Sequence, residues 1–272
     1  MDVRDLRRPA PRGWTRYARD LLAALEEAGE IDMLRMDGAG RRGPEVVWEQ
    51  VGLPRALHRS KPDLVHAPNC FLPLRRPCPG VVTIHDLAFE RFPEDFAPRT
   101  RAKFRFLTPR AARSAERVIC VSAFTRDDVC SRYGVDPARV RVVANAPSLP
   151  IGTQPPPAGD PYLLGVGDLR AKKNWGRLVA AWLALRAEGL PHRLVIAGAD
   201  AGSGPSLRAA AGDAPLSLPG YVDDARLDAL MRGADALVHP SLYEGFGLVV
   251  VEAQARGIPV AAARGTALTE AG

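Results

Sequence analysis

Short apolar runs alternate with longer amphipathic stretches along this chain, and the series occurs twice. In the first, residues 15–28 have helical periodicity, with Leu21, Leu22 and Leu25 on one face and Gly29 as the stop. Residues 63–66 and 81–84 read as short strands, the second of them entirely β-branched. Residues 99–115 read as a basic helix, with a bend or break expected at Pro109, which lacks the N–H that a helix interior needs. A strand at 117–121, a helix from Phe124 and a strand at 140–143 complete this half. The second half repeats the scheme: strand 162–166, helix 175–188, strand 193–197, an extended piece at 216–218, helix 225–232, strand 234–239 and helix 248–256. Strands alternating with helices predict an α/β fold with parallel sheets.

Residues 148–160 interrupt the pattern. Prolines at 150, 155, 156 and 157 leave no periodicity, so the stretch is expected to link two domains, 1–147 and 161–272. The length of 272 residues, with 46% hydrophobic and 25% charged positions, suits a globular chain of about two domains. The longest apolar run, 178–185, falls far short of the roughly 18 residues that cross a bilayer, and the charged start lacks a signal peptide's apolar core. A cytoplasmic location is expected.

Cys70, Cys78, Cys120 and Cys130 have no metal-ligand spacing and are expected to be reduced. Neither a metal nor a cofactor is expected. The net charge of +6 suits an anionic partner, whether substrate, lipid surface or nucleic acid. No basic segment with interleaved aromatics marks a nucleic-acid binder, so nucleic-acid binding is not expected.

The most informative tract is 241–252. Glu244 and Glu252 flank a turn containing Gly245 and Gly247, between a short buried strand and a helix start. Free backbone N–H groups at a helix start attract phosphate. Glu244 would then lie beside an anion, and Glu252 could accept hydrogen bonds from a ribose diol.

This tract, from Pro240 through Glu252 and Ala253 and on to Gly257-Ile-Pro-Val260, resembles the Glu-x7-Glu signature of the retaining glycosyltransferases of the GT-B fold, grouped as family 4. The resemblance covers nearly the whole chain. It implies two Rossmann-like domains facing across a cleft, with an acceptor side in 1–147 and a nucleotide-sugar side in 161–272. The donor site it implies comprises Lys173, Arg170, Gly198, Val222, Glu244, Gly245, Phe246, Gly247, Leu248 and Glu252. Many relatives carry an arginine five residues before the lysine; here that position is Asp168, and Arg170 is the substitute.

On the acceptor side the resemblance implies Gly13, Trp14, His66, Asn69 and Ser122, and His85 as the residue that positions or polarises the donor sugar. For the imidazole of His85 the alternative is a bond to a local backbone carbonyl. Asp86 either orients that ring or caps the next segment. Ser122 is an N-cap or an acceptor contact, and Trp14 stacks on a sugar or packs internally. Catalysis is assigned to His85 and Glu244, without a metal.

The implied reaction moves a hexosyl group, with mannose from GDP-mannose the leading candidate, from a nucleoside diphosphate sugar to an acceptor hydroxyl with retention. A lipid-linked acceptor would bring the basic stretch 99–113 to the inner face of the membrane as a peripheral contact; a solvated helix face is its other reading. Relatives begin earlier and continue further, so the resemblance implies a chain truncated at both ends, with the second domain incomplete. Two rivals remain: a nucleotide-binding protein without transfer activity, and a GT-B-fold sugar-nucleotide epimerase.

Overall fold

The computed structural model describes residues 1–7, 13–38 and 43–272, in two units, Met1–Asn145 and Ala146–Gly272. In the first unit the elements are α1 (Gly13–Ala28), α2 (Glu45–Val47), a π-helical turn (Trp48–Gly52) leading into α3 (Leu53–Ser60), β1 (Val65–Ala67), β2 (Gly80–Ile84), α4 (Ala88–Arg91), α5 (Pro98–Ser114), β3 (Arg117–Cys120), α6 (Ala123–Tyr133) and β4 (Val140–Val142). The sheet order is β1-β2-β3-β4, all parallel. The chain start extends this sheet. Asp2 bridges Met36 on one side, and its N–H donates to the His66 carbonyl on the other at 2.9 Å.

The apolar residues of β2 and β3, including Val82, Ile84, Val118 and Cys120, are buried with Leu107, Ala111 and Ala112 of α5. That burial explains why α5 runs through Pro109 as one helix rather than breaking there. The missing backbone bond is outweighed by tertiary packing of the turns on either side.

The second unit contains β5 (Tyr162–Val166), α7 (Trp175–Ala187), β6 (Arg193–Ala197), α8 (Gly204–Ala211), β7 (Leu216–Gly220), α9 (Asp224–Gly233), β8 (Ala236–His239), α10 (Leu248–Gln254), β9 (Val260–Ala262) and α11 (Leu268–Ala271). Its parallel sheet has the order β7-β6-β5-β8-β9. Period-two alternation separates two cores. Leu194 and Ile196 of β6 pack with Trp175, Val179 and Trp182, whereas Val195 and Ala197 pack with Tyr162, Leu230 and Val250.

The proline-rich stretch 148–160 is irregular yet anchored. Leu149 is buried in the second unit's core, and the Gly152 N–H donates to Asp228 Oδ2 at 3.0 Å. Asp228, fully buried, also accepts from Arg232 Nε and Arg256 Nε, both at 2.9 Å. Arg256 in turn donates to the carbonyls of Leu149 and Glu252, and Arg232 to that of Gln154. Burial works to raise the Asp228 pKa, but the bonds from Arg232, the Gly152 N–H and Arg256 hold it below the ordinary value. No helix among the described residues is long and apolar enough to cross a membrane.

Candidate functional site

Because all strands of a unit are parallel, their C-terminal ends share one edge. In the second unit the chain leaves β5 toward β6 and β7 on one side and toward β8 and β9 on the other, so the topological switch lies between β5 and β8. Open α/β sheets bind ligands at such a point. The loop after β5 carries Lys173, and the loop after β8 carries Glu244.

Hydrogen bonds to backbone carbonyls join these loops. Leu242 N–H and Ser241 Oγ donate to the Lys172 carbonyl at 2.8 and 3.2 Å, and Asn174 Nδ2 donates to the Pro240 carbonyl at 3.2 Å. Asn174 has φ 58°, a left-handed conformation that asparagine tolerates and that turns the chain into α7. The loop after β6 is equally close. A Cβ on Gly198 would lie 2.0 Å from the Gly167 carbonyl oxygen, so no side chain fits there.

At the centre, Lys173 Nζ donates to Glu244 Oε1 at 2.5 Å, and His239 Nε2 lies 3.1 Å from the same oxygen. The side chains of Lys173 and Glu244 are 15% and 12% exposed, and His239 is fully buried. Burial works to raise the Glu244 pKa, but Lys173 and then the His239 hydrogen bond hold it well below the ordinary carboxylate value. For His239, burial lowers the pKa and outweighs the opposing bond to Glu244. The arrangement is therefore an ammonium, a carboxylate and a neutral imidazole whose proton sits on Nε2.

The other expected donor residues are placed as follows. Arg170 Nε pairs with Asp168 Oδ2 at 3.4 Å, so the residue that stands where many relatives have arginine is engaged by its own neighbour. Phe246 is buried, and Gly247 turns with φ 105° into α10, which Leu248 begins. Val222 packs against the core beside the end of β7. Glu252 is 2% exposed inside α10 and has partners within the chain.

In the first unit, His66, Asn69, His85 and Ser122 lie in or just after β1, β2 and β3. His66 Nε2 lies 2.9 Å from Thr83 Oγ1, which lies 3.1 Å from the Tyr17 hydroxyl, and the Tyr17 ring meets the His85 ring edge to face at 4.8 Å. His85 Nε2 donates to the Pro68 carbonyl at 2.8 Å. Burial lowers the pKa of His85 and pushes that of His66 down to about 4. Asp86 Oδ1 accepts the Ala88 N–H at 2.9 Å, capping the next segment, and Ser122 caps α6 by accepting the Thr125 N–H at 3.0 Å. Asn69 Nδ2 donates to Asp5 Oδ2 at 3.0 Å.

Gly13 opens α1 and Trp14 is half-buried; Pro11 and Arg12 of the expected glycine-containing loop lie outside the described residues. A buried ionic cluster lies nearby in the chain: Arg4 Nη1 pairs with Glu49 Oε1 at 3.0 Å, Lys103 Nζ reaches the same oxygen at 2.6 Å, and burial raises Asp2 to about 6 despite Arg4. Among the described residues no group of three His, Cys, Asp or Glu side chains is arranged to hold a metal ion.

Sequence reasoning did not single out Tyr17, Thr83, Asp228 or His239. Only His239 carried a signal, its place directly before Pro240 at the end of a buried strand.

Residues 11–147 match the family model described as Glycosyltransferase Family 4, and residues 152–271 match that of Glycosyl transferases group 1. O-antigen chain mannosyltransferase B of Escherichia coli is 28% identical over 232 residues, covering 79% of this chain and 60% of that protein. GDP-mannose-dependent alpha-(1-6)-phosphatidylinositol dimannoside mannosyltransferase of Mycobacterium tuberculosis is 31% identical, covering 70% of this chain and 53% of that protein. The chain thus spans about half to three-fifths of the length of these curated relatives. Among solved structures, sucrose-phosphate synthase of Thermosynechococcus elongatus superposes with TM-score 0.68 at 22% identity over 99% of this chain and 81% of that one. Anabaena HepE, solved with UDP and glucose, superposes with TM-score 0.63 at 18% identity over 97% of this chain and 80% of that one.

Proposed function

From the premise that this chain belongs to the family 4 glycosyltransferases of the GT-B fold, we propose that its second unit holds a nucleoside diphosphate sugar and that the whole protein transfers the hexosyl group to an acceptor hydroxyl. The observation that carries this reading is the convergence of Lys173 and Glu244 at the switch point between β5 and β8. A lysine there offers a point charge to a diphosphate, and the carboxylate beside it can accept hydrogen bonds from sugar hydroxyls.

The finer reading is a mannosyl transfer in polysaccharide or glycolipid assembly, which the mannosyltransferases among its relatives support. Transfer proceeds with retention. The bond from the anomeric carbon to the phosphate oxygen breaks, the acceptor oxygen bonds to that carbon on the same face, and the acceptor proton passes to the departing phosphate. No separate general base and no metal or cofactor is invoked; Lys173, with Arg170, meets the charge that develops on the diphosphate. His85, whose Nε2–H is taken by the Pro68 carbonyl, keeps Nδ1 as an acceptor for a sugar hydroxyl. Glu252 takes the ribose, the amides around Gly247 and Leu248 face phosphate, and Val222 meets the base. The acceptor is a saccharide or lipid-linked saccharide at the cytoplasmic face of the membrane.

Calorimetric titration of the 272-residue chain with GDP, UDP and ADP tests the donor site, with Glu252→Ala as control. Selective binding of one nucleotide, weakened in the variant, is expected. A folded chain that binds none of the three overturns the assignment, and binding without transfer from any sugar nucleotide identifies a binding protein instead.

A further inference from the structure

His239 is an expensive residue to place at the end of β8. It is fully buried, and its Nδ1 has no hydrogen-bond partner among the described residues. A bare nitrogen lone pair removed from water costs stability that an apolar ring of similar shape would not. Its ring packs edge to face on Trp175 at 6.2 Å, a contact that phenylalanine would also make. Packing therefore gives no reason for a histidine here. Among the described residues the polar contact the ring makes is at its other nitrogen, 3.1 Å from Glu244 Oε1.

Lys173 and His239 converge on that one oxygen and neither reaches Oε2. A ligand diphosphate competes with Glu244 for Lys173, because one ammonium cannot serve two anions at full strength. A carboxylate only 12% exposed is strongly disfavoured if its partner turns away and nothing replaces it. A neutral Nε2–H donor, fixed by burial, keeps Oε1 satisfied while the ammonium turns to phosphate. It also holds the carboxylate through Oε1, which leaves Oε2 available to a ligand.

We propose that His239 is a positioning residue of the donor site, whose neutral imidazole secures Glu244 and so frees Lys173 to bind the diphosphate. This rests on the reading of Lys173 and Glu244 as donor-binding. Burial keeps the ring neutral in agreement with the geometry, since it lowers the His239 pKa despite Glu244.

The test compares His239→Phe with His239→Gln, whose side-chain amide N–H can take the place of Nε2–H. The probe is whichever of GDP, UDP and ADP the unaltered chain binds best. Thermal stability of His239→Phe is expected to equal or exceed that of the parent, while its nucleotide affinity drops by about 10-fold, the worth of a hydrogen bond to a charged group. His239→Gln is expected to restore affinity to within about 3-fold of the parent. In a Glu244→Gln background the His239→Phe change is expected to have almost no further effect on affinity, because the residue acts through that carboxylate. Equal affinity in the parent and His239→Phe overturns this inference alone. So does a loss in His239→Phe that persists in the Glu244→Gln background or that accompanies a fall in stability. A parent that binds none of the three nucleotides overturns the donor-site reading and this inference with it.

Discussion

At the strand ends of the first sheet the two histidines are neutral. Burial keeps His66 and His85 uncharged, and their hydrogen bonds run to Thr83 and to the Pro68 carbonyl, with Tyr17 against His85. At the strand ends of the second sheet Glu244 keeps its charge although it is almost as enclosed, because Lys173 lies 2.5 Å away. Desolvation acts on both edges and discharges a group unless a partner of opposite sign is built beside it. Neutral imidazoles suit hydroxyl groups and the charged Lys173–Glu244 pair suits a diphosphate, in keeping with the division of labour proposed above.

The largest test of that contrast is Asp228→Ala. It would leave the buried Arg256 guanidinium without its carboxylate, and loss of one partner of a buried pair costs about 3–5 kcal/mol. Urea unfolding should show the second unit melting first; an unchanged midpoint would mean that Arg256 does not need a partner. Next, Lys173→Met should weaken nucleotide binding by roughly 10- to 100-fold, whereas His85→Ala should change it by less than about 2-fold. Equal losses in the two variants would break the division between the charged pair of the second unit and the neutral imidazoles of the first.

A pH series sharpens the comparison within the first unit. Asp2, with its folded pKa raised to about 6 from 3.8, binds a proton more readily folded than unfolded, so its contribution to stability declines as pH rises between those values. His66, lowered from 6.5 to about 4, behaves oppositely: its contribution is complete above 6.5 and declines as pH falls toward 4. The two slopes, each at most roughly 1.4 kcal/mol per pH unit, should nearly cancel in the parent chain. Asp2→Asn should expose the loss at low pH, and His66→Gln the loss at higher pH. Chemical unfolding at pH 4, 5 and 6.5 checks this, and flat profiles in both variants would remove burial as the cause of either shift. The smallest effect is expected for Ser122→Ala, about 1 kcal/mol from loss of the α6 cap, with nucleotide affinity unchanged.

The elements most legible in the sequence were those buried on both faces. The runs at 162–166 and 193–197 coincide with β5 and β6, since a continuous apolar run between turn residues has few other uses. Residues 45–60 escaped notice because their helical stripe is thin, with Leu53 and Leu57 buried but Val46, Val47 and Val51 well exposed. The Gly-Pro start of α8 and its alanines concealed that helix in a similar way. At the candidate site, Lys173 and Glu244 stood out through motif and spacing, and the structure brings them into contact. His239 and Tyr17 did not, because one completes a buried strand and the other lies within a helix, and no periodicity shows which neighbour a side chain will meet. In 148–160 a lack of period revealed irregular backbone but could not reveal its attachment, which rests on Leu149 and on Asp228 far along the chain.

That attachment fixes where the chain can be divided. A fragment beginning at residue 161 would carry Asp228, Arg232 and Arg256 but lose the Gly152 N–H, the Leu149 and Gln154 carbonyls and the Leu149 side chain that they hold. It would expose an apolar socket and leave Asp228 one donor short. A fragment beginning at Ala146 keeps every one of these contacts, so the thirteen-residue proline-rich stretch 148–160 behaves as the second unit's own outer strap, and a protease should find it a poor place to cut.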